Sequence, residues 1–252
     1  MNIRNLFRNP LVLVALLALA VVVTRRGGFG NLWDWLADLL YRVPGLIIGI
    51  TVHEFAHAKV ANMLGDPTPK IQGRLSLNPL RHFDLFGALA LIFIGFGWGK
   101  PVMVSPYYFR NKRRDGFFVA IAGVVTNFFV AFIFAGIWML LAYIGFKHPG
   151  SGLHGAFWGR ALISALQGVI VVNLALMVFN LLPVPPLDGF NIVTEIFDLR
   201  KYDFWQAVYS FGFPILIALV FMGVTSKVMT PAVGGLLNGL TEMWASLLGR
   251  VF

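Results

Sequence analysis

The sequence predicts an all-α polytopic membrane protein with about five or six transmembrane helices, interrupted by a re-entrant hairpin or short β-strands. Three observations predict it. Hydrophobic residues make up 58% of the 252-residue chain and charged residues 12%, against roughly 45–50% and 25% in an average soluble domain. Long apolar segments recur from one end of the chain to the other, leaving no stretch for a separate soluble domain. The formal net charge is +9, but many of the Lys and Arg residues lie in one loop between apolar segments. That pattern is a topology signal rather than a free nucleic-acid-binding arm. Residues 1–252 are therefore expected to form a single integral membrane domain in the lipid bilayer, with no nucleic-acid partner. The chain has no cysteine, so disulfides and thiolate ligands are excluded and any metal site must use His and carboxylates.

Met1–Val23 begins with Arg4 and Arg8 and continues into the apolar run Leu11–Val23. Ala18-Leu19-Ala20 has the small-residue pattern of a cleavage site but sits inside the apolar run, so an uncleaved first span is expected. Gly27-Gly28-Phe29-Gly30 breaks the chain. Asn31–Tyr41, rich in Trp and Leu, reads as an interfacial helix. Pro44 suits the first turn of the next helix and Gly65 its end. The helix Pro44–Leu64 would be about 31 Å long, enough to cross the hydrocarbon core.

Asp66–Gly116 carries eight of the 20 Lys and Arg residues, which places it on the cytoplasmic side. Within it, Leu85–Trp98 is apolar but short and interrupted by Gly87, Gly95 and Gly97. A re-entrant hairpin or short strands there keeps both basic flanks cytoplasmic. Phe117–Ile144 is a span, Lys147–Gly159 a Gly-rich outer loop, and Ala161–Leu182 a span that returns to the cytoplasm and stops at Pro183-Val184-Pro185-Pro186. Asn191–Leu199 reads as a short helix and Phe204–Val224 as one further crossing. The tail Ala232–Leu248 is apolar on one side only, so it either spans or lies on the surface.

Chemistry concentrates in His53-Glu54-Phe55-Ala56-His57. On a helix, His53 and His57 project from one face, where two neutral imidazoles can hold a metal ion. Glu54 lies beside the first ligand, about 100° round the helix, in reach of a metal-activated water as general base. Ionisable groups inside an apolar span are expensive and mark a functional site by default. A catalytic zinc site usually has a third protein ligand. Asp188 is the candidate: topology returns it to the cytoplasmic side, and the prolines before it free backbone near a wet cavity. An aspartate before glycine also suits a turn or helix cap.

Three motifs in one order make a resemblance specific. These are His53-Glu54-Phe55-Ala56-His57, the Gly123-x-x-x-Asn127 pattern, and Asn180-Leu181-Leu182-Pro183-Val184-Pro185-Pro186-Leu187-Asp188-Gly189. Together they resemble the site-2 protease family of intramembrane zinc metalloproteases, with a core at about residues 43–199. Gly73-Arg74-Leu75-Ser76-Leu77-Asn78-Pro79 and Phe96-Gly97-Trp98-Gly99-Lys100-Pro101-Val102 resemble its compact members, which lack a PDZ domain. The resemblance implies Zn2+ as cofactor, held by His53, His57 and Asp188, with Glu54 as base and a transmembrane protein as substrate. The basic loop after the helix Pro44–Leu64 puts the site toward the cytoplasmic side of what is expected to be the cell membrane. Asn127 and Asn180 would position substrate or the developing oxyanion, the simpler role for each being interhelical glue. Val124 and Phe190 depart from the family pattern, which commonly has Pro and Gly at those positions. Two rivals use the same residues: a membrane metal-binding or transport protein, and a pseudo-protease that binds membrane helices without cutting them. His82, in the basic loop, is expected to be solvated or interfacial.

Overall fold

The computed structural model of the chain describes residues 32–84, 87, 99–153 and 155–251. The expected first span and nearly all of Leu85–Trp98 lie outside these residues. Among the described residues the fold is helical, with eight α-helices and no strand. Among the described residues three helices are long and apolar enough to cross a membrane, or four if one bent pair counts as a span.

The first helix, α1 (Leu32–Met63), runs unbroken through Pro44, so the interfacial helix and the metal helix expected separately are one element. Proline removes a single N–H and tilts a helix more often than it ends one when flanking contacts hold both sides. Those contacts are with α4 (Phe157–Asn180). A Cβ added at Gly45 would lie 2.7 Å from the Gly168 carbonyl, and one at Gly168 would strike the Tyr41 carbonyl. Backbones this close need glycine on both helices. Gly45, Gly49, His53 and His57 are spaced by four and share a face of α1, so the glycine half admits α4 and the histidine half faces the site.

Beyond α1, Gly65 adopts φ 104°. Its N–H donates to Asn62 O and that of Asp66 to Ala61 O, 3.2 and 3.0 Å, the two bonds of a Schellman cap. The short α2 (Thr68–Ile71) follows. The flanks of the apolar 85–98 segment meet in an antiparallel bridge, Phe83 with Gly99, where Lys100 N–H donates to His82 O over 2.7 Å.

The second long helix, α3 (Lys112–Lys147), starts five residues before the expected Phe117 because Asn111 caps it, accepting from Arg114 N–H. Lys112, Arg113 and Arg114 thus stand in its first turn. Phe129, Ile133, Ile137 and Leu140 form an exposed apolar stripe along it, suited to lipid. Ala131 and Ala135 pack on Ile170 and Leu174 of α4 in the main core.

After α4, the helix α5 (Asp188–Phe197) begins three residues before the expected Asn191. The single crossing expected at Phe204–Val224 is two helices, α6 (Asp203–Ser210) and α7 (Gly212–Phe221), bent by 62°. Pro214 has no N–H for the Ser210 carbonyl, and the bend seats Gly212 against Pro185. The tail is a 28-residue helix, α8 (Val224–Val251). Its Trp244 covers Gly136 and donates through Nε1 to Phe132 O over 3.0 Å, anchoring α8 to α3.

Candidate metal centre

His53 and His57 turn from α1 toward α3 and are buried, 7% and 8% exposed. His53 Nδ1–H donates to Asn127 Oδ1 and His57 Nδ1–H to the Val119 carbonyl, each over 2.7 Å. The Asn127 amide nitrogen is itself committed to Asn173 Oδ1 at 2.9 Å and Gly49 O at 3.4 Å, so its oxygen is the acceptor. Asn173 is fixed in turn by donation to Val169 O over 2.8 Å. With the proton on Nδ1 in both rings, each Nε2 carries a lone pair and is ready to ligate.

Those two Nε2 atoms lie 3.0 Å apart. Asp188 Oδ2 sits 3.0 Å from the first and 3.2 Å from the second. The same oxygen is buried without a hydrogen-bond donor. Three lone pairs thus face one another with no proton between them, a costly arrangement that a divalent cation would turn into an attractive one. These three residues form a group able to hold a metal ion, and two imidazoles with one carboxylate are a donor set that zinc accepts.

Gly123 makes room for the rings. A Cβ there would lie 2.5 Å from both His53 Cε1 and His57 Nε2. Asp188 enters from the opposite side as the first residue of α5. A Cβ on Gly189 would collide with the Leu181 and Leu182 carbonyls, so the glycine lets the turn fold tightly enough to present the aspartate. The other end of α5 is tied to the first turn of α3, where Arg113 donates to Glu195 O and Ile196 O at 2.9 and 2.6 Å. A cation on the last carbonyls also complements the helix dipole. Glu195 beside it is buried and paired with Arg200; burial pushes its carboxyl up, against the pull of the guanidinium.

Glu54 is half-buried on the neighbouring face of α1, and its Oε2 accepts from Val102 N–H over 3.1 Å. Three side chains able to hold a metal ion, two of them on a membrane-crossing helix that also carries an adjacent carboxylate, narrow the chemistry to metal-assisted hydrolysis or metal passage.

Comparison with known proteins separates the two. Residues 41–222 match Peptidase family M50. The chain belongs to peptidase family M50, the site-2 protease family. The chain is 35% identical over 207 residues to "Putative zinc metalloprotease YwhC" of Bacillus subtilis (strain 168), covering 82% of this chain and 92% of that relative. It is 28% identical over 236 residues to Rip2 of Mycolicibacterium smegmatis, whose name is of the same form, covering 87% and 84%. No solved structure matches it. The chain is thus an intramembrane metallopeptidase, and the transport and pseudo-protease rivals lose their footing.

Within this M50 peptidase the two departures have structural accounts. Val124 is buried in the unbroken α3. Phe190 is buried and stacks on Trp205 with ring centroids 4.4 Å apart, while Trp205 Nε1 donates to Thr194 Oγ1 over 2.7 Å. Phe190 therefore ties α5, which carries Asp188, to α6. Asn180, half-buried, donates to Leu176 O of its own helix over 3.0 Å. His82 is fully buried rather than solvated, its Nε2–H donating to Ser76 O over 2.6 Å. Asn173 escaped the sequence reading; its signal is a lone amide within the apolar run Val169–Leu174. Replacing Asn127 by Ala should free the His53 ring and lower zinc affinity about 10–100-fold, measured by competition with a chelator. An unchanged affinity would remove Asn127 from the site.

Proposed function

We propose that this peptidase cuts peptide bonds in or beside transmembrane helices at a zinc ion held by His53, His57 and Asp188. Glu54 is the general base, and the site opens toward the cytoplasmic side of the cell membrane. The observation that carries this reading is the convergence of His53 Nε2, His57 Nε2 and Asp188 Oδ2, none of which has a proton to share. Bound zinc supplies a polarised scissile carbonyl and a water acidic enough to lose its proton near neutral pH. Glu54 takes that proton on its carboxylate and returns it to the leaving amine. The Val102 N–H fixes the carboxylate without occupying both of its oxygens.

Asn127 spends its oxygen on His53 and its nitrogen on Asn173 and Gly49. That supports a role in orienting a ligand rather than in holding an oxyanion. Asn180, eight residues before Asp188, is the remaining candidate for substrate contact. The bridge between Phe83 and Gly99 supports the re-entrant reading of 85–98, because a segment whose ends meet returns to the side it left. Lys70, Arg74, Arg81, Lys100 and the Arg110–Arg114 cluster then share the side where α1 ends, which supports a cytoplasmic location. His57 stands six residues from Met63, about 9 Å inside that end. Five or six spans in a single integral membrane domain, with the catalytic core at 43–199, accommodate the whole chain.

A helical substrate hides its carbonyls in its own hydrogen bonds and must unwind before attack. The extended chain after Gly99 offers an edge on which an unwound strand can pair. The purified protein should carry about one zinc and cleave members of a panel of single-span membrane peptides. A chelator should stop cleavage and added zinc restore it. Chelator-resistant cleavage, or none across the panel, would sink the proposal.

A further inference from the structure

We infer that Asp66 is a substrate-positioning residue, which sets the register of the segment on which the unwound substrate docks; the inference rests on the functional reading above. Asp66 is fully buried and lies outside the metal centre and its hydrogen-bond shell. One carboxylate oxygen accepts from Thr68 N–H at 2.9 Å, within its own turn. The other accepts from Ser105 N–H at 2.7 Å, 39 residues on. The first bond is an ordinary Asx turn. The second ties the cap of the metal helix to the chain beside the base.

Three inward bonds pin this segment. Lys100 N–H goes to His82 O, Val102 N–H to Glu54 Oε2 and Ser105 N–H to Asp66 Oδ2. The step of two from Lys100 to Val102 is that of an extended chain, in which Pro101 and Met103 face the opposite edge. Val104 packs inward with Ala61, Phe109 and Val119, whereas Met103 is 63% exposed. The Met103 N–H has no partner among the described residues, and Pro101 has none to offer. The outer edge thus presents one backbone donor with a gap two residues before it, which favours one register for an added strand. Glu54 and Asp66 hold the inner edge from the same rigid unit, helix and cap, so the carboxylate that does the chemistry and the one that aligns the strand are fixed relative to each other.

The test uses the full-length protein and a single-span peptide that the wild type cleaves. Asp66→Asn sets an amide donor against one of the two N–H groups. Asp66→Ser keeps the local turn but is too short to reach Ser105. Zinc content should stay at the wild-type level for either variant. KM should rise about tenfold, with kcat changed less than about threefold, and mass spectrometry should find cleavage spread to bonds two residues either side. Met103→Pro, which leaves Asp66 and its bonds in place, should raise KM in the same way. Wild-type KM and a single unchanged cleavage site in the Asp66 variants would overturn the inference, as would a silent Met103→Pro. Loss of zinc from both Asp66 variants would make Asp66 a folding residue and overturn it too. A wild type that cleaves no peptide overturns the functional reading itself.

Discussion

Replacing Glu54 by Gln is expected to leave zinc bound and to reduce peptide cleavage by about 10²–10⁴-fold. The argument rests on what the two side chains share. Both have the same shape and an oxygen that can accept from Val102 N–H, which Glu54 Oε2 now does over 3.1 Å, so the docking segment should keep its place. Neither the two imidazoles nor Asp188 is touched, so the donor set is intact. Only the capacity to take a proton is lost. Metal analysis alongside cleavage of a single-span peptide reads both halves of the expectation. A variant that cleaves at the wild-type rate would dismiss Glu54 as the base, and one that loses its zinc would make it structural.

Gly123→Ala should do the reverse, emptying the site without removing any ligand. Its methyl group would stand 2.5 Å from two ring atoms, far inside van der Waals contact. Neither ring can retreat cheaply, because His53 is held by Asn127 and His57 by Val119 O on the same helix that carries the glycine. Helix α3 would have to move off α1, and both ligands would lose their aim at Asp188. Zinc affinity is expected to fall by about 100-fold or more, with cleavage falling in parallel at limiting zinc. A chelator competition measures it, and Gly150→Ala, with nothing within 4 Å of the added methyl, is the control expected to change nothing. If Gly123→Ala bound zinc as tightly as the wild type, the packing of the site would be other than described.

Periodicity and composition made the membrane class and the long helices α3 and α4 legible, because twenty or more apolar residues have few other uses. They misplaced helix ends. Pro44 reads as a start, yet α1 runs through it, since the loss of one N–H is outweighed by glycine-mediated contact with α4 that no local pattern displays. The break within Phe204–Val224 was hidden for the complementary reason: its apolar run is continuous, and the bend at Phe211 depends on Pro214 and on the docking of Gly212 against Pro185.

By itself the sequence determined the membrane environment, the pair of histidines one helical turn apart and the carboxylate beside them, because spacing along one helix fixes which side chains share a face. It also nominated Asp188, through topology and a family pattern. Only the tertiary structure decided how these groups meet. Asp188 Oδ2 reaches both Nε2 atoms because Gly189 tightens the turn before α5 and Arg113 ties its far end to α3. The tautomers follow from Asn127 and Val119 O, the place of Asn173 from a contact between helices, and those of Asp66 and His82 from loop contacts. Such contacts join residues from 6 to 135 positions apart. The physical reason is that a hydrogen bond or a van der Waals collision depends on distances of a few ångströms between helices, which one helix's own periodicity does not encode.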